Sequence, residues 1–485
     1  MNSAIILSIV GGYFLLLLVI AWLTGRGAEN SHFFVGQRSS RWYLVAYGMV
    51  GTSLSGVTYM SVPGGVGLGH FYYMQIVFGY FIGYMVVAFV LLPLYYRLQL
   101  TSIYSYLHGR FGAVSYRTGA SFFLLSRTLG SSARIYLVLH VLQVFILDSW
   151  GLPFGLTATV ILLMILLYTY QGGVKTIVWT DTLQTTFMLL ALVVTVWLIA
   201  NTLQLDCTGV INALHQGGYT QTFNTDWQSP SFFAKQILSG AFITIAMTGL
   251  DQEMMQKNIS CRNIGDAQKN MLVFSITLVA VNLLFLILGG VLYLYLTAHD
   301  IALPARPDDV FPTVALHYLP PIAGLIFIIG LVSALFPSAD GAITALTSSF
   351  CIDILGIAEQ NKSEAAKTRL RKTVHLSVTA VVLLCVLFFK WLNTGSVISL
   401  LLKVAGYTYG PLVALFGLGL YTSIKLKERW VPLVCIAAPI LTYILDSHSK
   451  DWLGGYQMGF ETAFVNVGMT LVGLWAIRDR KLSAK

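Results

Sequence analysis

Thirteen apolar runs follow one another along the chain, at 4–23, 42–69, 71–96, 118–147, 153–171, 176–203, 232–251, 271–297, 318–355, 373–392, 396–422, 430–446 and 459–477. Each is long enough to cross the hydrocarbon core of a bilayer as a helix, which takes about 17–25 residues. Charged residues make up only 10% of 485 positions and mean hydropathy is +0.75, values outside the range of soluble domains. The expectation is therefore an all-α polytopic membrane protein with about 13 transmembrane helices, forming a single transmembrane domain over residues 1–485 and residing in the cell membrane. The first run has no basic residue before it and no small-residue cleavage site after it, so it reads as a resident span rather than a cleaved signal.

A net charge of +9 would suggest nucleic acid as the partner of a soluble chain. Here its placement gives another answer. Alternate loops hold most of the basic residues: Arg26, Arg38 and Arg41; Arg97, Arg110 and Arg117; Lys175; Lys257, Arg262 and Lys269; Lys362, Lys367, Arg369, Arg371 and Lys372; Lys425, Lys427 and Arg429; Arg478, Arg480, Lys481 and Lys485. The opposite set has Arg306, Lys390 and Lys450, with Lys235 at a span edge. Positive charge accumulates on the cytoplasmic side. The N-terminus is thus expected outside and the C-terminus inside, with the bilayer as partner and no nucleic acid.

Within the second run, GTSLSGVTYMSVPGGVGLG at 51–69 is unlike a plain lipid-crossing helix, being dense in glycine and hydroxyls with a proline at 63. Backbone that leaves the helix at membrane depth is tolerated only where it is buried in protein or lines a polar cavity. Polar side chains inside other spans point the same way, since they are costly in lipid and face a bundle interior. They are Asp181, Asp340, Arg127 and Arg134 (seven residues apart, so on one helical face), Lys403, and more mildly His140 and Asn282. His140 and Asn282 read as interhelical hydrogen bonders, Arg127 as a residue able to pair with a carboxylate, and Asp251 and Asp353 as end-capping or solvated acids. The five cysteines form no disulfide or metal framework, and no nucleophile elbow, zinc helix or phosphate loop is present, so no enzyme activity is expected.

Four stretches, in order, carry a family resemblance: YGMVGTSLSG, GGVKTIVWTDTLQ, GLDQEMMQKNISCRNIGDAQKN and SALFPSADGAITALTSSFCIDIL. Together they resemble the sodium/solute symporters, the group that includes sodium–glucose, sodium–proline, iodide and sialic acid symporters. The resemblance implies a leucine-transporter-type inverted-repeat core of five plus five helices: a leading helix at 4–23, a first repeat at 42–203, a second at 232–422 and two trailing helices at 430–477. In such folds ligands bind at the midplane where the first helix of each repeat is broken. The second repeat's broken helix falls on SGAFITIAMTGLDQ.

The resemblance further implies sodium as the coupling ion, held by the carbonyls of Gly51, Leu54 and Ala334 and by the Ser338 hydroxyl. Pro337 stands where the family has the first of two adjacent hydroxyls, Ser338 being the second. Asp181, with Asp340, is expected to hold a second sodium, although Gly341 lacks the hydroxyl that such a site uses. The substrate set is expected to be Ser55, Thr58, Gln75, Arg134, Thr244, Thr248 and Lys403. The sugar carriers' lysine and stacking tryptophan fall near Val279 and Thr248, so their pattern is absent, whereas Arg134 lies where sialic acid symporters hold a carboxylate. A planar guanidinium suits bidentate carboxylate recognition. The expected function is uptake of a small organic anion, such as an acidic sugar, with two sodium ions per monoanion and no obligatory protein partner. A neutral sugar or polyol is the rival substrate, and a sodium-conducting channel of the same fold is the remaining alternative.

Overall fold

The computed structural model describes residues 3–25, 40–100, 102–169, 174–227, 229–357, 360–361, 363–392, 397–456 and 458–479. Arg26, Arg38, Lys362, Arg480, Lys481 and Lys485, which helped orient the chain, lie outside them, as does the Lys175 side chain. Among the described residues the protein is helical throughout, without a β-strand and with two isolated bridges, Ser40 to Cys261 and Leu426 to Arg478.

Every expected apolar run holds a helix or a broken pair. In chain order these are α1 (Ser3–Gly25), the pair α2 (Trp42–Ser53) and α3 (Gly56–Gly64), α4 (Tyr73–Arg97), α5 (Ala113–Leu142), α6 (Phe154–Thr169) and α7 (Val174–Thr202). There follow the pair α8 (Phe233–Gly249) and α9 (Gln252–Ile259), then α10 (Ile264–Ala298), α11 (Pro321–Ser349), α12 (Glu364–Leu392), α13 (Val397–Tyr421), α14 (Val431–Ser447) and α15 (Thr462–Ala476). Eight helices among the described residues are long and apolar enough to cross a membrane, or nine counting α8 and α9 as one bent span.

Several helices start before their apolar run, because a helix continues into water as long as its end is capped. Asn263 shows this at α10, its side chain accepting from the Asp266 N–H at 2.9 Å. The first break is at Leu54 and Ser55, whose ψ angles of 83° and 176° leave the helical region before Gly56 restarts it. The second lies at Leu250 and Asp251, where α8 and α9 meet at 66°. Asp251 caps α9 by accepting from the Met254 N–H at 3.1 Å, as the end-cap reading anticipates.

Close helix approach fixes where the breaks sit. A Cβ on Gly79 of α4 would stand 2.1 Å from the Ile237 carbonyl oxygen of α8, and one on Gly240 of α8 would stand 2.2 Å from the Ile76 carbonyl oxygen of α4. Only paired glycines allow the two backbones to touch, the usual basis of tight packing without a hydrophobic driving force. The α4–α8 contact brings the second break beside the first, and the long helices α5, α10 and α11 close around both.

Candidate functional site

Where α2 ends, the backbone stops pairing with itself. The Leu54 N–H still donates to the Val50 carbonyl at 2.8 Å and the Tyr59 N–H to the Ser55 carbonyl at 3.0 Å. Among the described residues no backbone N–H donates to the carbonyls of Gly51, Thr52, Ser53 or Leu54. Buried carbonyls without partners are rare, so this run of four is a set of oxygens available to a ligand.

Beside it is a cavity of about 110 Å³, lined by Leu54, Ser55, Thr58, Tyr73, Tyr80, Tyr84, Arg127, Arg134, Thr244, Thr248 and Asn282, with Met247 and other apolar neighbours. At roughly 10–15 Å³ per water position, it has room for several waters or one small organic solute. Five of the expected substrate residues meet here: Ser55, Thr58, Arg134, Thr244 and Thr248.

The two arginines of α5 differ sharply. Arg127 is 4% exposed and neutralised: Nη2 donates to Glu253 Oε2, and Nη1 lies 3.6 Å from Asp251 Oδ2. Arg134, two turns further along, has no hydrogen bond or ion pair among the described residues. The cavity therefore holds one uncompensated guanidinium. Asn282 adds a buried amide whose Oδ1 has no partner among the described residues.

Two expected substrate residues are elsewhere. Gln75 sits in the first turn of α4 and is spent on the segment that precedes α8 and on the start of its own helix: Oε1 accepts from the Asn224 N–H at 3.1 Å, and Nε2 donates to the carbonyls of Ser231 at 3.2 Å and Tyr72 at 3.0 Å. Lys403 is 56% exposed and pairs with Asp446 at 3.2 Å. Because α13 begins at Val397, Lys403 lies about 9 Å from its start, within reach of the end of α14.

On α11, Ser338 is buried, its Oγ donating to the Leu335 carbonyl at 2.8 Å and lying 3.5 Å from that of Ala334. The helix runs unbroken through Pro337, which has no N–H to give the Ser333 carbonyl one turn back. α11 packs against α2, and Gly51 faces α7, where a Cβ would meet Thr185 Oγ1 at 2.2 Å.

Asp181 and Asp340 are both fully buried. Asp340 accepts from the Tyr168 hydroxyl at 2.7 Å and from the Gly341 N–H at 2.5 Å. Asp181 has a partner not anticipated from the sequence: Lys257 Nζ stands 2.7 Å from its Oδ2, and Thr52 Oγ1 donates to the same oxygen at 3.1 Å. Lys257 was expected as a cytoplasmic loop charge. It is 3% exposed, because α9 folds back into the protein after the 66° bend. The clues were the Glu253–Lys257 spacing of one helical turn and the acid at Asp251 just after the break. Tyr73, Tyr80 and Tyr84 also escaped notice, since aromatics at helical spacing read as core. His140 is a hydrogen bonder, its Nε2 lying 2.9 Å from Arg306 Nη1.

The comparisons with known proteins agree with this architecture. The chain is 26% identical over 408 residues to human sodium-coupled monocarboxylate transporter 1, covering 82% of this chain and 65% of that relative. It therefore spans somewhat less than two thirds of that protein's length. It is 22% identical over 461 residues to a sodium/sialic acid symporter of Proteus mirabilis, covering 90% of this chain and 88% of the relative. In fold it is similar to a Na+-coupled sialic acid symporter solved in a substrate-bound outward-open state, with a TM-score of 0.82 at 18% identity over 97% of this chain and 96% of that one. The nucleobase-cation-symport-1 transporter Mhp1 shares the general architecture, with a TM-score of 0.55 at 12% identity over 93% and 96% of the two chains. The sequence profile of the sodium:solute symporter family matches residues 33–428, and the chain is a multi-pass membrane protein of that family.

Proposed function

We propose that this protein is a sodium-coupled symporter that imports a small organic anion by alternating access. The observation that carries the reading is the unpaired Arg134 guanidinium, facing a polar cavity between two broken helices. A carboxylate seated against Arg134 gains charge-assisted, bidentate hydrogen bonds. Ser55, Thr58, Thr244, Thr248 and Asn282 supply hydroxyls and an amide for the rest of the solute. Sodium is assigned to the free carbonyls of Gly51 and Leu54, together with the Ala334 carbonyl and the Ser338 hydroxyl, oxygens that suit a hard cation. The relatives named for monocarboxylates and for sialic acid both handle carboxylates, in line with this reading. In this reading the N-terminus lies outside and the C-terminus inside, and 42–203 and 232–422 are the two five-helix repeats.

A neutral polyol is the second reading, favoured by the three tyrosines and the hydroxyls on the cavity wall. A thermal-shift screen of purified protein against short carboxylates, acidic sugars and polyols, each with sodium or with choline, separates the two. The anion reading expects stabilisation by carboxylates that deepens in sodium. Stabilisation by polyols alone would replace it.

A further inference from the structure

The position where the family resemblance placed a second sodium is already filled. Lys257 Nζ lies 2.7 Å from Asp181 Oδ2, 2.7 Å from Thr52 Oγ1 and 3.2 Å from Glu253 Oε1. An ammonium has three N–H donors and no acceptor, and these three oxygens match them one for one. They come from three helices, α2, α7 and α9, so the ammonium joins the break of the first repeat to the broken helix of the second.

Gly341 completes the arrangement. A Cβ there would stand 2.0 Å from Glu253 Oε1. The missing side chain on α11 is thus replaced in space by the Glu253 carboxylate, which holds Lys257 against Asp181. Glu253 is anchored from its other oxygen by Arg127. The other Asp181 oxygen, Oδ1, is buried and has no partner among the described residues.

We propose that Lys257 is a tethered cation that occupies the Asp181 position in place of a second sodium, so that one sodium ion accompanies each solute molecule. The proposal rests on the sodium-symporter reading and adds its stoichiometry. With a monoanionic solute the cycle then carries no net charge through the membrane. Lys257 binds through the protein's own chain, so this positive charge is never released and adds nothing to the driving force.

The test counts ions directly. Equilibrium binding of radioactive sodium to the purified full-length protein in detergent should saturate at one ion per chain. Lys257→Gln removes the ammonium and leaves Asp181 facing Glu253, so it should bind two, and its sodium-dependent thermal stabilisation should exceed that of the wild type. Lys257→Arg keeps a charge in place and should remain at one. Two ions in the wild type overturn the proposal, and so does a folded Lys257→Gln variant that still binds one. Should Lys257→Gln fail to fold even in sodium, the wild-type count together with Asp181→Asn decides: an unchanged count of one in both supports the proposal, and a fall on removing Asp181 overturns it. No saturable sodium binding in the wild type overturns the symporter reading itself, a result distinct from a count of two.

Discussion

Arg127 and Arg134 lie seven residues apart on α5 and both line the central cavity, yet only Arg127 is matched by carboxylates, those of Glu253 and Asp251. The difference divides the two into a member of the scaffold and a free charge at the site. It also means that the positive field of the cavity comes from Arg134.

Arg134→Lys should therefore raise the KM for a carboxylate substrate at least tenfold. A bidentate charge-assisted pair is reduced to a point charge, and hydrogen bonds to charged groups contribute about 1.5–3 kcal/mol. A neutral analogue of the same shape should lose far less. Uptake assays with the acid and its amide make the comparison, and equal losses for both would return Arg134 to a structural role.

Arg127→Met should act on stability instead. It leaves Asp251 and Glu253 Oε2 buried without the guanidinium, with Lys257 still held at Glu253 Oε1, and breaking a buried pair from one side costs about 3–5 kcal/mol. Lys403→Met removes the exposed partner of Asp446, whose buried carboxylate keeps the Tyr407 hydroxyl, and a pair with one solvent-exposed member is worth about 0–1 kcal/mol. Thermal unfolding in detergent should show a large drop for the first and little for the second, with substrate KM unchanged by Lys403→Met.

Ser338→Ala removes one hydroxyl and little volume from α11. The sodium concentration for half-maximal uptake should rise about fivefold, equivalent to the ~1 kcal/mol of one ligating or hydrogen-bonding group. Thermal stability without sodium should stay near that of the wild type. An unchanged sodium dependence would remove Ser338 from the ion's ligands.

Gly341→Ser places its side chain where Glu253 Oε1 now lies. It should destabilise the protein and loosen Lys257 from Asp181. Shortening the obstructing residue as well, in Gly341→Ser/Glu253→Ala, should recover part of the loss, because contacting residues are not additive. Strictly additive effects in a double-mutant cycle would mean that the two positions do not compete for space.

The breaks were legible in the sequence because they are written in backbone chemistry: glycine, proline and hydroxyls crowd the apolar run at 51–69, and a second loose segment spans 239–252. Arg134 was legible because a guanidinium deep in an apolar run has few explanations. The α9 segment was not. Its QEMMQKNI sequence is polar, and hydropathy cannot distinguish a solvated loop from a polar half-helix turned back into protein. For that reason Lys257 was counted with the cytoplasmic charges. Lys403 failed for a different reason, in that the middle of an apolar run is not the middle of the membrane when a long side chain can reach a neighbour's end. Gln75 shows that a polar residue in the first turn of a helix can serve a loop distant in sequence, here the segment before α8, as readily as a ligand.

Energetics sharpen the choice between one sodium and two. A tenfold sodium gradient supplies about 1.4 kcal/mol, and one charge crossing 100 mV about 2.3 kcal/mol. With one sodium and a monoanion only the first term acts, so accumulation halts near tenfold at that gradient. A second ion would raise the driving force to roughly 5 kcal/mol by the same arithmetic.

The most direct test of the central claim is uptake of a radiolabelled short monocarboxylate, and of an acidic sugar in parallel, into proteoliposomes containing only this protein. External sodium or choline is compared at zero membrane potential. The account predicts concentrative uptake of at least one of these anions that requires the inward sodium gradient and, at substrate concentrations below the wild-type KM, is slowed at least tenfold in Arg134→Lys. Equal uptake of the transported solute in choline and sodium, or sodium-driven uptake confined to neutral polyols and indifferent to Arg134, would contradict it.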